Sequence, residues 1–114
     1  MSQDTIDINE ATVKAFVEKL RPEDPEIRKQ LDFGYSYDGK RFKLFEIRPV
    51  WTRPDEIQHL EFAKMRYYKS RSEWNLYWMR ASGKWEAYEP YFSSSSLSEM
   101  LDIINEDEFG CFFG

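Results

Sequence analysis

WNLYWMRASGKWEAYEPY, residues 74–91, decides the fold class of this chain. Three tryptophans, three tyrosines and two basic residues surround one Ser82-Gly83 turn. Apolar and polar side chains alternate with period two on both sides of the turn, and that pattern predicts an antiparallel hairpin. With Ser82-Gly83 as a two-residue loop, Arg80 faces Trp85, Trp78 faces Ala87 and Leu76 faces Glu89. Tyr77 then meets Tyr88, and Met79 meets Glu86, on the opposite face. The tryptophan side reads as core, which leaves Tyr77, Met79 and Tyr88 on a half-apolar outer face.

Upstream, LDFGYSYDGKRFKLFEIRPVW (residues 31–51) reads as a second hairpin with Asp38-Gly39 at its turn. Glycine tolerates positive φ there at little steric cost. A two-residue loop pairs Tyr37 with Lys40, Tyr35 with Phe42, Phe33 with Leu44 and Leu31 with Glu46. Leu31, Phe33, Tyr35, Phe42 and Leu44 share the core face, and period two brings Glu46 and Arg48 to its far end. Pro49 limits the ladder or marks an edge. Thr52 to Leu60 reads as a polar crossing with a helical turn after Pro54. Phe62 to Lys69 reads as a strand, with Ala63, Met65 and Tyr67 on one face and Lys64, Arg66 and Tyr68 on the other. Ile57, Leu60, Lys64 and Tyr68 also fit a helical spacing, and the strand is preferred.

The ends are helical. Val13, Phe16, Val17 and Leu20 recur at helical spacing over residues 9–20, with Asp7 or Asn9 as the cap and Pro22 and Pro25 as the stop. A short helical turn is expected over residues 25–30. After Ser93–Ser96, Leu97, Met100, Leu101 and Ile104 make an amphipathic helix that a serine caps. The ending FGCFFG is too aromatic for a free tail and is expected to dock. The whole predicts an α+β domain: about five antiparallel strands in meander order, with an N-terminal and a C-terminal helix.

With 114 residues the chain falls within the size of a single domain. An aromatic share of 18% supplies large rings, and each buried ring removes roughly 150–250 Å² from water, so one core needs no disulfide. The single cysteine, Cys111, excludes an intramolecular disulfide and a cysteine-based zinc cluster. The acidic opening MSQDTIDINE does not fit a signal peptide, and no apolar run approaches the length of a membrane span, so a cytoplasmic location is expected. A formal net charge of −5 argues against general affinity for nucleic-acid backbones, so nucleic acid is the less favoured partner.

Five separated pieces carry a resemblance: Glu46-Ile47-Arg48-Pro49; Ala63-Lys64; Trp74-x-x-Tyr77-Trp78-x-Arg80; Lys84-Trp85-x-x-Tyr88-x-Pro90; and Gly110-Cys111-Phe112-Phe113-Gly114. In this order they resemble a small bacterial family, the domain of unknown function numbered three thousand and twenty-four. The likeness runs from about the first helix to the last residue. Phe113 departs from it, standing where tryptophan is expected in many members, and this concerns packing more than chemistry. The resemblance implies a compact bacterial domain and carries over no catalytic residue.

Three candidate sites follow from the residues. Glu46, Arg48 and Arg80 near the core face are one, an enzyme or small-ligand site if they converge in a concave pocket, since a guanidinium presents a rigid fork to anionic or planar ligands. An ion pair at the sheet rim is the favoured reading. Arg80 opposite Trp85 adds a cation–π contact. Tyr77, Met79 and Tyr88 are the second: an exposed patch for a partner chain or a stacked base, or a second core layer under a helix. The third is the stripe from Lys64 to Arg80, where Lys64, Arg66, Lys69, Arg71 and Arg80 interleave with Tyr67, Tyr68, Trp74 and Tyr77. Phosphate neutralisation plus base stacking is what a single-stranded nucleic-acid surface needs, but plain surface charge is favoured.

His59 has no cysteine or histidine at metal-ligand spacing. Cys111 reads as a packing thiol, and Asp102, Glu106, Asp107 and Glu108 as a solvated helix end. No glycine-rich phosphate loop or nucleophile elbow occurs. No catalytic residue, metal or cofactor is implied. The expectation is a noncatalytic interaction module binding a protein partner, or itself, through an aromatic sheet face.

Overall fold

In the computed structural model, which describes residues 7–113, the first helix, α1 (Ile8–Leu20), starts where Asp7 leaves its side chain to accept from the backbone amides of Asn9 and Glu10. Those amides have no partner inside the helix, so the carboxylate stabilises its first turn. Pro22 and Pro25 end it, and Pro25 opens the one-turn helix α2 (Pro25–Arg28) beneath the cap of Asp24. The chain then runs through β1 (Asp32–Tyr37), β2 (Arg41–Val50), β3 (Arg53–Tyr68), β4 (Glu73–Met79) and β5 (Trp85–Ala87). These five form an antiparallel meander in sequence order, and a two-residue strand, β6 (Ser93–Ser94), pairs β4 beside β5. The third helix, α3 (Leu97–Glu106), is capped by Ser96, whose Oγ accepts from the Glu99 amide. The α+β meander with a helix toward each end is therefore as expected.

Both helices cover one face of the sheet. Val13 and Val17 of α1 and Leu97, Met100, Leu101 and Ile104 of α3 join one core with Phe42, Leu44, Ala63, Met65, Trp74 and Leu76. The tail docks on the same core. Asp107, in the left-handed conformation, turns the chain, and its carboxylate accepts from the Phe112 and Phe113 amides. Phe112 is buried and packs 4.9 Å from the Tyr88 ring. Gly114, the last residue of the expected docking segment, lies outside the described residues.

Three expectations need correction. The polar crossing from Thr52 to Leu60 is strand: β3 begins at Arg53 and runs on through Pro54, with a break in register against Pro49-Val50 and no helical turn. Only Trp51-Thr52 separates β2 from β3. Beyond Ile47, β2 has no β1 partner, and before Ala63, β3 has no β4 partner. The tip of this hairpin is therefore a two-stranded ribbon, which accommodates Pro54 and leaves Trp51 and Ile57 exposed.

The second correction is the β1–β2 register. The observed pairs are Tyr37 with Phe42, Tyr35 with Leu44 and Phe33 with Glu46, two positions away from the expected ones. Asp38 does not occupy the tip. Its carboxylate accepts from the Lys40 and Arg41 amides, and Gly39, at φ +92°, and Lys40 make the two-residue loop. A shift of two leaves every side chain on its expected face.

The third correction is the β4–β5 register. Arg80 N donates to Lys84 O and Gly83 N donates to Arg80 O, so the loop is Ala81-Ser82-Gly83, three residues long. Gly83 sits at φ +84°, as a turn closed by a left-handed residue requires. Met79 consequently pairs with Trp85, Trp78 with Glu86 and Tyr77 with Ala87. Trp85 moves to the outer face, and Tyr88 turns inward until it is only 1% exposed. The expected core Trp85 and exposed Tyr88 have exchanged places.

Candidate functional site

The face without helices collects the odd-numbered residues of β2 and β4 and the even-numbered residues of β3 nearest β4. Directly across β2 and β3, Arg41 is paired with Arg66 and Lys43 with Lys64. Like charges in direct cross-strand opposition destabilise a sheet. The neutralisation around them is partial. Arg41 Nε lies 3.2 Å from Asp38 but makes no hydrogen bond, and Lys43 reaches Glu61 only at 4.0 Å. Arg66 Nε is buried without a hydrogen-bond partner among the described residues.

Aromatic rings share this face. Lys64 Nζ lies 4.6 Å from the ring centre of Tyr77 and 5.1 Å from that of Trp85. The guanidinium carbons of Arg66 and Arg71 lie 4.7 and 4.3 Å from the centre of Tyr68. Ring quadrupoles attract these cations and offset part of their mutual repulsion. Burial, then the charges of Lys43 and Arg41, hold the Lys64 ammonium below its ordinary pKa. Tyr77, whose phenol burial pushes upward, meets Phe92 edge-on at 5.5 Å.

At the end of the sheet away from the ribbon, a cavity of about 470 Å³ opens between the β1–β2 turn and the β3–β4 turn. Gly39 and Lys40 line it from the first turn, Lys69 and Ser70 from the second, and Arg66, Tyr67 and Tyr68 from β3. A second, smaller cavity, about 280 Å³, lies between α1 and the sheet beside Phe45 and His59, whose rings stack at 4.4 Å.

The structure separates the first sequence-derived site. Arg48 Nε is held by Glu46 at 2.9 Å, while Arg80 pairs with Glu86 at 3.2 Å. These are two distinct ion pairs. Arg80 is not opposite Trp85, and the cation over that indole is Lys64. Of the second site, Tyr77 and Met79 do share the outer face, joined by Trp85, whereas Tyr88 belongs to the core. The basic stripe is brought together in part. Lys64 and Arg66 lie on the open face beside Tyr68 and Tyr77, and Tyr67 and Trp74 pack on the core side.

Sequence reasoning missed Arg41 and Lys43. Their signal was present: they alternate with Phe42 and Leu44, which the same reading assigned to the core. Cys111 is half-buried against the core, and burial pushes its thiol up. Among the described residues no cluster of histidine, cysteine and carboxylate groups has the makings of a metal site, and no helix is long and apolar enough to cross a membrane.

The family model described as Domain of unknown function (DUF3024) matches residues 1–114. No curated protein and no solved structure matches the chain significantly. The chain belongs to the DUF3024 family.

Proposed function

We propose that this family member is a noncatalytic interaction module of the cytoplasm, binding an acidic protein surface through the helix-free face of its sheet. One observation carries the reading: two like-charged pairs, Arg41 with Arg66 and Lys43 with Lys64, stand opposed on the face that no helix of the described residues covers. Opposed cations cost stability that an apposed carboxylate surface restores on binding. Tyr77, Met79 and Trp85 next to them provide the apolar anchors typical of interface centres. Acidic residues of α3 and the segment after it, Glu99, Asp102, Glu106 and Glu108, offer such a surface, so a second copy is among the candidate partners.

The separation of the Glu46–Arg48 pair from the Arg80–Glu86 pair supports the noncatalytic reading, since each arginine already has its carboxylate. The rival is a single-stranded nucleic acid stacking on Tyr68 and Tyr77. It is disfavoured because those rings already carry Lys64, Arg66 and Arg71.

A pull-down comparing wild type with a Lys43→Glu/Lys64→Glu variant tests the reading, with light scattering on both to detect self-association. Loss of specific partners, or of a dimer, is expected in the variant. Identical partner sets and identical mass would sink the proposal. Fluorescence anisotropy with a labelled oligonucleotide covers the rival, which requires binding that weakens by about 0.7 log units per log unit of salt for each phosphate neutralised.

A further inference from the structure

We infer that the cavity between the β1–β2 and β3–β4 turns is a site for a phosphate ester, a role that goes beyond the interaction surface and shares with it only Arg66. Lys40, Arg66 and Lys69 line the cavity together with Ser70 and Tyr68, and no carboxylate is among the lining residues. The flanking arginines have carboxylates of their own: Arg41 lies beside Asp38 and Arg71 beside Glu73. Lys40, Arg66 and Lys69 form no ion pair among the described residues. Arg66 lines the cavity with its guanidinium over the Tyr68 ring and without a carboxylate partner among the described residues.

The placement of the donors selects the anion. Lys40 approaches from one turn, Lys69 and Ser70 from another, and Arg66 from the strand between them. A lining that draws cationic residues from three elements suits an anion, and three cations suit the phosphate's greater charge better than a carboxylate's. The volume of about 470 Å³ is in the range of small-ligand sites and exceeds what a bare phosphate occupies. Tyr67 and Tyr68 line the remainder, where the organic part of an ester would lie.

Amide spectra of the whole chain titrated with inorganic phosphate, and separately with a nucleoside monophosphate, test the site. Saturable shifts at Lys40, Lys69 and Ser70 are expected with both, and tighter binding with the ester. Arg66→Gln and Lys69→Gln should each weaken binding about tenfold, by loss of one charge-assisted hydrogen bond. Two substitutions guard against misfolding at either one, and the dispersion of the spectra reports folding directly. Lys64→Glu, which alters the open face but not the cavity lining, should change phosphate affinity by less than about threefold. Absence of shifts at these amides, or equal shifts with sodium chloride at matched ionic strength, overturns the inference. Loss of phosphate binding in Lys64→Glu alone overturns it too, by assigning the anion to the open face. The interaction reading stands or falls separately, on partner capture by the Lys43/Lys64 variant.

Discussion

The hairpins β1–β2 and β4–β5 differ by a single loop residue. The first closes with Gly39-Lys40 between Asp38 and Arg41, and the second with Ala81-Ser82-Gly83 between Arg80 and Lys84. Each uses one glycine at positive φ. Their flanking pairs nevertheless lie on opposite sides of the sheet. Tyr37 stacks flat on Phe42 at 4.0 Å on the core face, whereas Met79 and Trp85 face outward above it. Because side chains alternate with period two, one loop residue changes which half of a strand is buried, while two change nothing. The outer aromatic patch of this protein therefore depends on the length of one loop.

The largest expected effect breaks this comparison at its centre. Tyr88→Ala should cost roughly 3–5 kcal/mol, the usual range for removing a fully buried ring, and Trp85→Ala only about 1–2 kcal/mol. Urea melts decide it. Equal costs would mean that the outer face is also covered, and a reversed order would restore the two-residue loop.

A smaller effect sharpens the symmetry between the turns. No atom lies within 4 Å of a Cβ built on Gly39 or Gly83, so alanine there meets no clash and only the backbone conformation resists it. Gly39→Ala and Gly83→Ala should each cost about 1 kcal/mol. The denaturation midpoint should fall with an unchanged slope. A changed slope for Gly83→Ala alone would show that its register, unlike that of β1–β2, slips.

A further effect concerns pH at the first hairpin. Burial, then the Asp7 carboxylate, push the Tyr37 phenol up to about 12 from 10.0. The folded chain holds this proton more tightly than the unfolded one. The resulting stability is complete below pH 10 and is lost as pH rises from 10 through about 12. Melts between pH 9 and 11.5 should show a steeper decline for wild type than for Tyr37→Phe. Parallel declines would remove the special status of this phenol.

Element types were legible wherever burial is one-sided. Val13 and Val17, Leu97 to Ile104, and the alternation through Phe42-Lys43-Leu44 each report local geometry that a few neighbouring residues impose. The ribbon was not legible, because Asp55 to His59 is solvated on both sides and shows no alternation in burial. The candidate site was half legible: Lys64, Arg66, Tyr77 and Met79 were in view, but Arg41, Lys43 and Trp85 were not.

By itself, then, the amino-acid sequence determined the two longer helices and the antiparallel meander, since each follows from a periodicity or a local turn signal. Only the tertiary structure decided the parity of β5, the continuation of β3 through Pro54 and the opposition of Arg41 to Arg66 and Lys43 to Lys64. Those features depend on which carbonyl across a turn accepts which amide. Strand propensity is nearly blind to a one-residue slip, and only packing against the opposite strand and the shared core resolves it.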